Sequence, residues 1–224
     1  MNGGFILIIV IALVGLIVQS KLKSVFAKYS KISFPGGLTG REVAEKMLHD
    51  NDIYDVAVTS TPGSLTDHFN PQNKSVNLSQ DVYNTCSISA AAVAAHECGH
   101  ALQHAKDYAP LKLRSALVPI VSVSSSISQI VIIVGILLIN TVPALFWLGI
   151  IMFASVLLFS VVTLPVEFDA SRRALAWLDN SGTLDATGKS QAKEALTWAA
   201  STYVVAALSA LATLIYYLGF ARRN

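Results

Sequence analysis

The sequence predicts a mainly α integral membrane protein: about four transmembrane helices, plus a small α+β region with a short antiparallel sheet. Three observations predict this class. The 224 residues are 53% hydrophobic and only 13% charged, whereas a soluble domain carries about a quarter of its residues as charge. The mean hydropathy is +0.55, so lipid replaces water over much of the surface. Four long segments are almost free of charge, and two polar stretches lie between them.

Residues 1–19 form the first segment, a membrane anchor with its apolar core at residues 4–18. It is slightly short against the ~20 residues a bilayer needs. No basic residues precede it, and Lys21, Lys23 and Lys28 follow where a small-residue cleavage site would sit. It therefore reads as a retained anchor rather than a signal peptide. Residues 20–115 are the first polar region. Thr39-Gly40-Arg41-Glu42 is a capping box that opens a helix, and Val43, Ala44, Met47 and Leu48 recur at helical spacing to give it an apolar face. Residues 55–59 alternate like a short strand. Residues 65–69 and 74–78 flank Asn70-Pro71-Gln72-Asn73 and read as a β-hairpin. An alanine-rich helix over 87–105 follows, supported by the run Ala90 to Ala95.

Residues 116–164 form a membrane hairpin, with spans at 116–139 and 144–164 joined by a turn at 140–143. The first of these spans contains the serine-rich run 122–128, which reads as small residues packing against another helix. Residues 165–200 form the second polar region, with helical character from Pro165, a residue suited to a first helical turn. A last span over 201–220 and a tail at 221–224 complete the chain. Because a hairpin returns the chain to the side it left, both polar regions face the same side of the membrane. Lys21, Lys23, Lys28, Lys31, Lys112, Arg114, Arg172, Arg173, Lys189 and Lys193 mark that side, against Arg222 and Arg223 on the other. The bias points to an integral cytoplasmic-membrane protein with its polar regions in the cytoplasm.

A net charge of +2 and the lack of a basic-aromatic face exclude a nucleic-acid partner. Cys86 and Cys98 make neither a disulfide framework nor a metal knuckle. The stretch that points to chemistry is His96-Glu97-Cys98-Gly99-His100. Residues four apart stack on one helix face, so His96 and His100 can direct two imidazoles at one point. Glu97 lies about 100° round the helix, near enough to a metal-bound water to act as its base. That is the physical content of H-E-x-x-H, two zinc ligands and a general base from one turn. Gly99 leaves room beside the site for a backbone or substrate to approach.

A catalytic zinc site takes three protein ligands and keeps one position open. Glu167, in Pro165-Val166-Glu167-Phe168-Asp169, lies on the same membrane side by span counting and is the expected third ligand. Asp169 is the rival, with Arg172 or Arg173 as ion-pair partners for either carboxylate. Arg173, Asp169 and His104 are candidates for supporting the ligands or meeting substrate, His104 because it lies one turn beyond His100. His49 and His68 read as ordinary surface or hairpin residues, while residues 67–70 could line a cleft. The strand at 76–79 is a candidate edge for substrate binding by β-augmentation.

The stretches DHFNPQNKSVNLS, AAHECGHALQHA and LPVEFDASRRAL resemble the YugP-type membrane zinc metallopeptidases of bacteria over almost the whole chain. The resemblance implies zinc, one ion per chain, at His96 and His100, with Glu97 as the catalytic carboxylate. More distantly the layout is similar to the HtpX-type and CAAX prenyl proteases, which are gluzincins. Their third ligand is the glutamate of a Glu-x-x-x-Asp pattern; Glu167 matches it, and Ser171 stands where the aspartate would be. Asp169 or a water would then have to support the ligand histidine.

The function expected is a membrane-integral zinc-dependent endopeptidase with a peptide or membrane-protein substrate and the lipid bilayer as its setting. Residues 20–115 then hold the catalytic region and residues 165–200 the third-ligand region. The alternative is an inactive zinc-binding membrane scaffold or adaptor, against which the intact Glu97 argues. A channel or transporter is disfavoured because no span carries an ionisable residue. The sequence does not specify an oligomeric state.

Overall fold

A computed structural model describes residues 3–221. In order, the elements are α1 (Gly3–Tyr29), α2 (Gly40–His49), β1 (Ala57–Thr61), β2 (His68–Asn70), β3 (Ser75–Ser79) and α3 (Gln80–Tyr83). They continue with α4 (Ile88–Ala105), α5 (Ala109–Leu137), α6 (Pro143–Asn180) and α7 (Ala186–Ala221). Four helices, α1, α5, α6 and α7, are long and apolar enough to cross a membrane. The protein is a mainly α membrane protein with a small three-stranded sheet. The Arg222 and Arg223 pair lies outside the described residues.

The chain divides into two compact units. The first takes residues up to 17, 112–165 and those from 202 onward. Its outer surface is apolar: Leu16, Leu137 and Ile151 are each at least two-thirds exposed, an arrangement stable only where hydrocarbon replaces water. Its interior is a cluster of Ile132, Phe146, Ile150 and Phe153, with Leu214 and Tyr217 packed against it. The α5–α6 hairpin closes tightly there. A Cβ on Gly135 would meet Phe146 Cα at 2.5 Å, and one on Gly149 would meet the Ile132 backbone nitrogen at 2.9 Å. Of the serine run, Ser124 and Ser128 are buried at helical spacing. Ser125 and Ser126 are exposed and donate to the Ser122 carbonyl.

The second unit takes residues 18–111 and 166–201. Here α2 forms as its signals dictate. Thr39 caps it, Glu42 reaches back to the Thr39 N–H to complete the box, and Val43, Ala44, Met47 and Leu48 are all buried. These side chains pack with Val76, Leu78 and the alanine-rich face of α4 in one core. That core also takes Tyr29 from α1, Leu178 from α6 and Leu196 from α7. The hairpin expected around the Asn70–Asn73 turn is present, with β2 and β3 antiparallel and Phe69 opposite Val76. β1 adds on the other side of β3 in parallel, Val58 opposite Val76, making the sheet mixed.

Two local expectations need correction. β3 is the central strand of the order β1-β3-β2; β1 pairs along all of it, β2 covers Ser75–Asn77 on the other side, and the Ser79 N–H there is taken by Asp67, so the 76–79 strand is not a free edge. Pro165 does not start a helix; it lies inside α6, which runs unbroken to Asn180. A proline at an interior position forfeits one i→i−4 bond, a loss that this 38-residue helix absorbs.

Candidate metal centre

Ser87 starts the helix that carries the motif. Its hydroxyl accepts from the Ala90 N–H at 3.2 Å, and α4 then runs 18 residues to Ala105. The alanines give this helix a side-chain-poor surface that other elements approach closely. Cys98 fills one such gap, fully buried, with its Sγ 3.5 Å from the Ala44 carbonyl; burial pushes its thiol well above the ordinary range. Gly99 is the tightest point. A Cβ there would stand 2.6 Å from the Ala170 carbonyl oxygen and 3.0 Å from Ala170 Cα. The backbone of α6 thus occupies the space that the missing side chain leaves, and brings its carboxylates to α4.

His96, His100 and Glu167 converge there, their ligand atoms all within 4.8 Å of one another. Both histidines turn Nε2 toward the same oxygen, Glu167 Oε2, at 3.3 Å for His96 and 3.6 Å for His100. The two rings lie almost perpendicular, with centroids 4.9 Å apart. A tetrahedral zinc with bonds of 2.0–2.1 Å sets its ligands about 3.3–3.5 Å apart. The His96 contact lies on such an edge and the His100 contact slightly beyond it, and both exceed the about 2.7–2.9 Å of a charge-assisted hydrogen bond. Glu167 is 2% exposed, so its charge calls for a cationic partner. Burial disfavours a charged His100, but the Glu167 carboxylate beside it outweighs this and holds the imidazole above its ordinary value. The donor set and spacing fit a zinc ion.

The outward ring nitrogens are also engaged. Ser171 Oγ lies 3.1 Å from His96 Nδ1, so the serine that replaces the expected aspartate makes the contact itself. His100 Nδ1 lies 3.0 Å from Gln103 Oε1. Gln103 in turn donates to the Val166 carbonyl at 2.8 Å and to Asp169 Oδ2 at 3.0 Å. Asp169 is held by Arg172 and by Arg173 Nε, outside the ligand cluster. Arg173 also stands over the Tyr108 ring, 5.8 Å from its centroid. Glu97 is buried, 8% exposed. His104 is exposed, with its ring 5.7 Å from that of Phe69 on β2. The sequence reading missed Gln103, whose one local signal is its place three residues after His100, a turn along the same face.

The family described as "Putative neutral zinc metallopeptidase" matches residues 4–222. The chain belongs to this family. Among its relatives is the "Putative membrane protease YugP" of Bacillus subtilis (strain 168), 42% identical over 200 residues that cover 89% of this chain and 88% of the relative. No solved structure matches the chain. As a member of this family, the chain pairs a zinc-peptidase ancestry with a cluster of half-buried His96 and buried His100 and Glu167.

Proposed function

We propose that the protein is a membrane-integral zinc-dependent endopeptidase of the gluzincin type, in which His96, His100 and Glu167 hold one zinc ion and Glu97 is the general base. The observation that carries this is the pair of Nε2 distances to a single Glu167 oxygen, 3.3 and 3.6 Å, which lie close to the edges of a zinc tetrahedron. Zinc bound there would polarise a peptide carbonyl and acidify a water. The rest falls to the chain's own groups. Glu97 takes the proton from the attacking water, holds it within a buried setting, and delivers it to the leaving amine nitrogen. Ser171 and Gln103 hold the two imidazoles from behind.

Peptide segments at the cytoplasmic face of the membrane are the proposed substrates, a side assigned from the lysines and arginines of the polar regions. The free edge nearest the motif helix belongs to β2, through Phe69 and His104, and this is the edge a substrate strand would extend. Metal analysis and casein cleavage on wild type, Glu97→Gln and Glu167→Ala test the reading. Wild type and Glu97→Gln are expected to keep one zinc, with cleavage lost in the second, and Glu167→Ala to lose zinc. Full zinc occupancy in Glu167→Ala removes the third ligand from the reading, and cleavage surviving in Glu97→Gln removes the base.

A further inference from the structure

The hydrogen bonds behind the two histidines are not equivalent, and the difference is in what each partner can do. A primary amide has one acceptor oxygen and two N–H donors, whereas a hydroxyl both donates and accepts. Gln103 is fully buried, and its Nε2 faces the Val166 carbonyl and the Asp169 carboxylate, neither of which can donate. Both N–H groups are therefore committed, and turning the amide over would set oxygen against oxygen at two contacts. Oε1 is left facing His100 Nδ1 at 3.0 Å, where it can only accept. A neutral His100 must then carry its proton on Nδ1 and keep the Nε2 lone pair for the cluster. Ser171 imposes no such choice on His96, since its hydroxyl can serve either tautomer.

We propose that Gln103 is the positioning residue that fixes His100 as the Nδ1–H tautomer, with its amide locked in orientation by Asp169 and the Val166 carbonyl. Asp169 is locked in turn by Arg172 and Arg173. The inference rests on the zinc reading of His96, His100 and Glu167. It gives Asp169 a task distinct from ligation, since the carboxylate acts two bonds removed from the metal ligand.

The test uses the full chain in detergent, loaded with zinc for affinity by chelator competition and with cobalt(II) for proton NMR. Cobalt displaces the ring N–H protons of ligand histidines far from the ordinary spectrum, so each protected Nδ1–H is seen as an exchangeable signal. Gln103→Met keeps the side-chain length and removes every hydrogen bond. It is expected to weaken zinc binding about 10–100-fold and to lose one exchangeable signal, which Ser171→Ala retains. Wild-type affinity and an unchanged spectrum in Gln103→Met overturn the relay alone. A wild-type protein that binds no zinc overturns the site reading and the relay together.

Should Gln103→Met fail to fold, the pair Asp169→Asn and Asp169→Leu decides. The asparagine oxygen can still accept from Gln103 and Arg173, so Asp169→Asn is expected to keep the signal, while Asp169→Leu loses it. Equal loss in both shows that the charge of Asp169 matters rather than the orientation of the amide, and overturns the proposal.

Discussion

In the helical unit Ile132, Phe146, Ile150 and Phe153 form the buried hydrophobic cluster, and the outward faces are apolar. In the other unit the buried core extends from Val25 on α1 through α2, β3 and α4 to Leu196 on α7, and Glu97, Glu167 and Asp169 are buried as well. The first is built for close helix approach in hydrocarbon, where small residues rather than apolar burial allow association. The second has the construction of a small water-soluble domain, and every member of the histidine–glutamate cluster belongs to it. Chemistry that needs fixed geometry sits in the unit with the interlocked core.

Substitutions of like kind in each unit separate the two. Gly99→Ala is expected to do most damage, because its Cβ would meet the Ala170 carbonyl, a backbone atom that cannot swing aside. Overpacking of this sort costs about 1–3 kcal/mol, and here it also drives α6 from α4, so zinc content should fall with the thermal midpoint. Gly149→Ala makes the equivalent intrusion in the helical unit, against the Ile132 backbone. It is expected to lower the unfolding free energy in detergent by about 1–3 kcal/mol while zinc affinity, read by chelator competition, stays at the wild-type value. A parallel loss of zinc would break the comparison.

Thr39→Ala tests the soluble-like unit gently. Removing the cap hydroxyl of α2 should cost about 1 kcal/mol, read as a shift of thermal midpoint with zinc content unchanged. The smallest effect is the pH response of the other half of that box. The Thr39 backbone N–H and hydroxyl bonds hold the Glu42 carboxyl below its ordinary 4.5. A depressed carboxylate contributes stability above its unfolded value and loses it as pH falls through the folded one. Between pH 6 and pH 3 the wild type should therefore lose slightly more stability than Glu42→Gln; an equal loss would show that the bond contributes nothing.

Local signals decided what was legible beforehand. The Thr39–Glu42 box, the spacing of Val43, Ala44, Met47 and Leu48, and the alternation around the Asn70–Asn73 turn each act within a few residues, and α2 and the β2–β3 hairpin form there, although β2 is only His68–Asn70 and residues 65–67 stay outside the strand. The parallel pairing of β1 with β3 was invisible because no turn chemistry marks a non-local partner. Pro165 was read as a helix start because φ near −65° suits a first turn and an interior alike. Counting spans led to Glu167, which the structure brings to the two histidines. Ser171 and Gln103 could not be read so: their contacts with His96 and with Asp169 join residues 75 and 66 positions apart, and the chain between them gives no hint of the meeting.

That separation also orders events in time. His96 and Glu167 lie 71 residues apart in the chain, with all of α5 and much of α6 between them. At synthesis rates of about 5–20 residues per second, His96 leaves the ribosome roughly 4–14 seconds ahead of Glu167. During that interval a nascent chain carries His96 and His100 but not Glu167, the third member of the cluster.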